Sequence, residues 1–170
     1  QERITHNDFY NDEKTDSLTR TWVLEKNDHP KFVYTHFFRP HHPYVVDSNG
    51  LFNKLPAGLS GNEQIKRGYL DLLIYSSKKL IGLIDHIQKN SATPPIIIVA
   101  SDHGFRQLLG SVDAKYDFMN FLAVYFPDQD YEGFKDGMSM INLFRILLNT
   151  RFGQHLPLLK DSTVFYNHTF

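Results

Sequence analysis

The chain has 170 residues, 41% hydrophobic and 22% charged, which fits one domain able to bury roughly 70% of its unfolded surface. A formal net charge of −1 supplies no global basic field, so nucleic acid is not an expected partner. Cys is absent, excluding disulfides and thiolate metal sites, and no apolar run reaches the roughly 18 residues that cross a bilayer.

Residues 1–16 are polar, lack the apolar core of a signal peptide, and read as loop. With no initial Met, the chain is expected to be cut from something longer. "DSLTRTWVLEKND" (16–28) reads as a short helix capped by Asp16 or Ser17, with Trp22 in the core. "KFVYTHFF" (31–38) is aromatic and β-branched, the signature of a strand. From Arg39 to Gly61 the chain is rich in Pro, Gly, Asn and Asp, and its length suggests a mobile, substrate-facing loop.

The clearest helix is 62–90, where Ile65, Tyr69, Leu72, Leu73, Leu80, Leu83, Ile84 and Ile87 share one face. Asn62 is placed to cap it, 91–95 stop it, and Lys66, Lys78 and Lys79 read as its solvated side. A buried strand over 96–100 follows, and another over 118–126, with the phenylalanines at 118, 121 and 126 expected in the core. A second amphipathic helix spans 139–152 before Gly153, and "STVFY" (162–166) reads as a last short strand. Strands alternating with helices predict an α/β fold: one domain over 1–170, a layered, mostly parallel sheet flanked by helices. Ligands in such sheets sit beyond the carboxyl ends of the strands.

Two clusters fall at those ends. "SDHG" places Asp102 and His103 after the 96–100 strand, a carboxylate and an imidazole of the kind that hold Zn²⁺ or Mn²⁺, with Gly104 to make the turn. The plain alternative is a carboxylate capping a helix beside a loop histidine. "YTHFFRPHHPY" gathers His36, Arg39, His41, His42 and Tyr44 after the 31–38 strand. There Arg39 suits bidentate capture of phosphate or sulfate, and a His suits proton transfer. The hydroxyls of Thr35 and Ser101 lie close by, and neither is marked as a nucleophile. "NHT" (167–169) fits a common glycosylation triplet, and His168 reads as part of a frayed tail.

"IIIVASDHGFR", after the helix "YLDLLIYSSKKLIGLIDHI", resembles the C-terminal half of the alkaline phosphatase superfamily. The similarity is to its sulfatase-like hydrolase/transferase branch, which includes lipoteichoic acid synthases and phosphoethanolamine transferases. "THFFRPHHPYVVDSNG" resembles that branch's H-x-P-Y/F loop and "NLFRILLNTRFGQHLPLLKD" its C-terminal helix, so the resemblance runs from about residue 30 to 166.

The resemblance implies that Asp102 and His103 ligate a catalytic divalent metal (Zn, Mn, Mg or Ca) and that His41 contacts the transferred phosphate or sulfate. His36 and Arg106 would stand behind them. It implies a phosphate or sulfate ester substrate, an extracytoplasmic location, and membrane association through upstream segments. It also places the nucleophile and a further acidic metal ligand in an N-terminal half that would precede Gln1. With no Cys and no C/S-x-P/A-x-R signature, formylglycine chemistry cannot originate here. The chain is therefore expected to be the C-terminal portion of a sulfatase-like catalytic domain, nearly inert alone. The alternative is a non-catalytic α/β binding or scaffold domain, a degenerate relative that has lost its metal.

Overall fold

The structure, a computed structural model, describes residues 2–52, 61–108, 113–162 and 164. Its first element is a 23-residue helix, α1 (Glu2–Leu24), where sequence patterning predicts loop and then a short helix. The stripe that α1 buries is Asp12, Asp16 and Thr19, at helical spacing but polar, so no apolar period announces it. Trp22 is half exposed rather than in the core. Its neighbour is α2 (Asn62–Asn90), found as predicted, although Gly61 rather than Asn62 holds the cap position. The Ser91 amide, bonded to the Ile87 carbonyl, ends it.

Between these helices, 31–38 is extended but, among the described residues, pairs with no strand, which differs from the strand expected there. High β-propensity needs a partner edge to become a ladder, and this segment instead runs back along α1. Lys31 Nζ donates to the Trp22 carbonyl at 2.8 Å and to the Glu25 carbonyl at 2.6 Å. Further on, the Thr35 and Thr19 hydroxyls meet at 3.1 Å. The chain then turns through cis bonds before Pro40 and Pro43 and enters the core.

Tyr44, Val46 and Leu72 form that core, with Phe9, Ile65, Tyr69, Tyr75 and Phe105 packed around it. Tyr44 lies so close to α2 that a Cβ on Gly68 would come within 2.8 Å of its ring, so only glycine fits there. Val46 bridges Phe52 across a turn held by Asp47, whose side chain accepts from the Asn49 and Leu51 amides. The first half of the 39–61 loop is thus built into the core. Residues 53–60, where a mobile lid was also expected, lie outside those described.

The described sheet consists of β1 (Ile97–Ala100) and β2 (Leu122–Tyr125), paired antiparallel with Ile97 opposite Tyr125 and Ala100 opposite Leu122. This differs from the layered, mostly parallel sheet predicted. The 101–121 connection reverses the chain through a 3₁₀ turn, Ala114–Phe118, instead of crossing over by a helix. The predicted strand at 162–166 falls mostly outside the described residues. Of the three phenylalanines, Phe126 is fully buried, whereas Phe118 and Phe121 are exposed.

Phe126 sits below α3 (Leu143–Phe152), which follows a 3₁₀ turn and buries Leu143, Ile146 and Leu147. The Arg151 guanidinium stacks 4.3 Å over the Phe126 ring and pairs with Asp128 at 2.6 Å, tying β2's exit to α3. Gly153, left-handed at φ 60°, closes the helix where predicted. Beyond it, Asn142 and Asn149 pin the return segment through paired bonds to Leu159 and Leu156.

Candidate functional site

The turn after β1 is built on backbone contacts. The Ser101 amide donates to the Phe121 carbonyl at 2.9 Å, and the Phe121 amide to Ser101 Oγ at 2.7 Å. Ser101 Oγ also donates to the His103 carbonyl at 3.2 Å, so this hydroxyl is committed to shaping the turn. The Gly104 amide bonds to the Asp117 carbonyl at 2.8 Å. A Cβ on Gly104 would fall 1.9 Å from the Tyr116 carbonyl oxygen, so the need for glycine here is close backbone approach.

Two side chains project from this turn. Asp102 is 88% exposed, and its Oδ1 lies 3.8 Å from His103 Nε2. His103 Nδ1 is 2.6 Å from the Gly104 carbonyl. A carbonyl can only accept, so Nδ1 carries the proton, and in the neutral ring the Nε2 lone pair is left free on the side of Asp102. This is how metal-binding histidines are commonly oriented, by a bond from the other ring nitrogen. Ligand atoms at ~2.1 Å on a tetrahedral ion stand ~3.4 Å apart. The observed 3.8 Å closes to that with a small rotation of an exposed carboxylate. Among the described residues, no third His, Asp or Glu joins them to make a metal-holding group. Arg106, two residues on, is exposed.

The second cluster is organised differently. Arg39, expected to capture an anion, is buried and already paired. Its Nε lies 3.2 Å from Asp12 Oδ2 and its Nη1 2.6 Å from Glu13 Oε1. Its guanidinium sits 5.4 Å and 5.5 Å from the Phe37 and Tyr75 ring centres. Glu13 also takes bonds from Lys79 Nζ at 2.7 Å and Tyr75 Oη at 2.9 Å, so Lys79 is part of a network rather than a solvated face. Asp12, Glu13 and Tyr75 escaped sequence reasoning, and Lys79 was read as solvent-facing. The only signal for Asp12 and Glu13 was polar spacing in a segment read as loop.

Burial pushes the Asp12 carboxyl above its ordinary value, against the bonds from the Phe38 and Arg39 amides. Burial pushes Glu13 the same way, but Lys79, Tyr75 and Arg39 outweigh it and hold the group below its ordinary value. Tyr75 is pushed up to about 12 by burial and by its bond to Glu13, so it remains a donor at neutral pH.

His41 lies at the mouth of this network, exposed, with its ring 4.4 Å from that of Phe38 and its Nδ1 against the His42 carbonyl. Asp8, Asp12, Arg39, His41 and Pro43, with apolar Phe9 and Leu72, line a shallow hollow of about 20 Å³ that is open to solvent. His36 is exposed on the extended segment, and the Thr35 hydroxyl points to Thr19. An aromatic ladder joins the two clusters. Tyr44, which meets His42 at 5.3 Å, packs on Tyr69 at 6.0 Å, and Tyr69 packs on Phe105 at 4.3 Å. The 34–44 segment and the 101–105 turn are thus both braced on the N-terminal half of α2. The chain matches no family, no curated protein and no solved structure with which it was compared.

Proposed function

We propose that this chain is part of a metal-dependent, sulfatase-like hydrolase or phosphotransferase acting on phosphate or sulfate esters. The observation that carries the reading is the orientation of His103. Its Nδ1–H is held by the Gly104 carbonyl, leaving Nε2 beside the free carboxylate of Asp102. Asp102 and His103 would be two ligands of a divalent ion (Zn²⁺, Mn²⁺, Mg²⁺ or Ca²⁺). When bound, such an ion supplies Lewis-acid polarisation of the ester oxygens. His41, exposed at the mouth of the hollow, would contact the ester's non-bridging oxygen or protonate the leaving group through an N–H at its second nitrogen.

Under this reading the nucleophile and the remaining ligands come from an upstream half of the same domain. The β1–β2 pair would then be one part of a larger layered α/β sheet, and the extracytoplasmic, membrane-associated setting belongs to the same proposal. Arg39 is given a different role from the one its sequence context suggests. Its pairing with Asp12 and Glu13 leaves it as a structural cation rather than an anion clamp. That pairing also favours the second reading, a binding or scaffold domain whose polar residues hold a shape rather than a substrate.

Mn²⁺ titration followed by amide NMR separates the two. The enzyme reading expects selective broadening of Ser101 through Phe105, abolished in Asp102→Ala, with weak affinity because two ligands leave most of the coordination sphere to water. Broadening elsewhere only, or broadening that survives Asp102→Ala, would overturn it.

A further inference from the structure

The contacts around His41 point back to a residue 29 positions earlier. Asp12, in the middle of α1, is 3% exposed. Its Oδ1 accepts the Phe38 amide at 2.7 Å and its Oδ2 the Arg39 amide at 2.9 Å. One buried carboxylate therefore grips two consecutive backbone amides just where the extended segment turns into the prolyl loop. The Phe38 carbonyl accepts the His41 amide at 2.9 Å, and the Phe38 ring lies at 46° against the His41 imidazole. Among the described residues, the polar and ring contacts that set His41, apart from the one to its neighbour His42, thus pass through Phe38. Phe38 in turn is fixed at its amide by Asp12.

We propose that Asp12 is a positioning residue for His41, a two-point backbone clamp that sets the imidazole at the mouth of the hollow it shares with Asp12 and Arg39. The functional weight of this clamp rests on reading His41 as the substrate contact, whereas the clamp itself does not. Two amides taken by one carboxylate are charge-assisted bonds, stronger than neutral ones, and they act in a site shielded from water. Arg39 counters the buried charge that the clamp requires, and shares its guanidinium with Glu13. An amide side chain cannot replace it. Asn offers one acceptor oxygen, and its NH₂ group would face either the second backbone amide or the guanidinium.

The test is spectroscopic and needs neither metal nor substrate. In the wild-type chain the His41 ring protons should be displaced by the Phe38 ring current, and Phe38→Leu gives their position without it. Asp12→Asn should move the His41 signals to within experimental error of the Phe38→Leu positions. Asp71→Asn, which alters another buried carboxylate, the one paired with the exposed Arg67 on α2, should leave them in place. A folded Asp12→Asn with unmoved His41 signals overturns the clamp. So does an Asp71→Asn shift of equal size, because it would mark a general loosening. Should Asp12→Asn fail to fold, amide exchange in the wild type decides. The Phe38 and Arg39 amides should exchange at least ten-fold more slowly than those of residues 33–36, and equal rates would refute the proposal. Failure of the Mn²⁺ experiment leaves this result untouched, so the two ideas fall separately.

Discussion

Gly104 shows how much a single position can hold. Its neighbours across the turn are the Tyr116 carbonyl, 1.9 Å from any added Cβ, and the Met119 amide nitrogen at 2.9 Å. Both are backbone atoms, so relief requires moving the chain rather than a side chain. Gly104→Ala should therefore lower the unfolding free energy by about 3 kcal/mol in a urea titration, the upper range for overpacking. Gly82→Ala makes the same chemical change in the interior of α2, where the nearest atom is a flexible Arg20 nitrogen at 3.8 Å. There the helix propensity gain of roughly 1 kcal/mol should make the variant more stable. Equal effects from the two variants would refute the steric account. At this scale the sequence was legible for one reason: Gly104 follows a carboxylate and an imidazole at a strand end. The same local reasoning could not see the partners of Arg39, because an arginine's partner is a fact of tertiary structure, and Asp12 stands 27 positions away.

The helix pair α1–α2 depends on ionised groups to a degree that apolar patterning does not reveal. Beyond the Arg39 network, Arg20 pairs with Asp16 at 2.7 Å and reaches the Gly82 carbonyl on α2 at 3.1 Å. Helix α2 could be read because apolar residues recur along it at a period of 3.6, the buried Leu72 and Leu83 among them. Helix α1 could not, since Asp12, Asp16 and Thr19 occupy the equivalent positions. The extended 31–38 segment failed for the converse reason, β-propensity without a partner edge. The opposite shifts of the two acidic groups give a testable acid response. Glu13, held below its usual 4.5, stabilises the fold above that value and loses this contribution as pH falls through its lowered value. Asp12 is raised, so it works in the opposite sense, favouring the fold when protonated and losing that advantage as pH rises through its native value. Glu13→Gln should therefore lower the melting temperature at neutral pH, with the gap to wild type shrinking below about pH 4. A gap that stays constant from about pH 7 to about pH 3 would contradict this assignment.

Taken as a whole, the molecule leaves much of its surface in water. Its accessible area is 12770 Å² at 19.8 kDa, against about 8,600 Å² for a compact chain of that mass. Exposed Leu18, Trp22, Phe32 and Tyr34 lie on α1 and the segment that follows it, where 31–38 has no strand beside it among the described residues. Sequence patterning located four of the main elements, α2, β1, β2 and α3, but it carries no information on which strand edges meet. That step from elements to sheet is where the reading and the structure part.

The extended 31–38 segment has one more consequence, in how the chain meets a protease. Proteases bind substrates as extended, unpaired backbone, the form this segment already holds, with Phe32 82% and Tyr34 79% exposed. Chymotrypsin should cut after Phe32 or Tyr34 before any other site. Trypsin should be slower at Lys31, whose ammonium is engaged by the Trp22 and Glu25 carbonyls. The nicked product should migrate as two pieces in denaturing gels yet elute together under native conditions, because α1 remains held through Asp12, Glu13 and Arg20. First cuts within 62–90, or immediate release of the N-terminal piece, would show that this description of the segment is mistaken. If the nicked pieces stay together as expected, covalent continuity between α1 and the remainder is dispensable, and the two parts behave as a complementing pair.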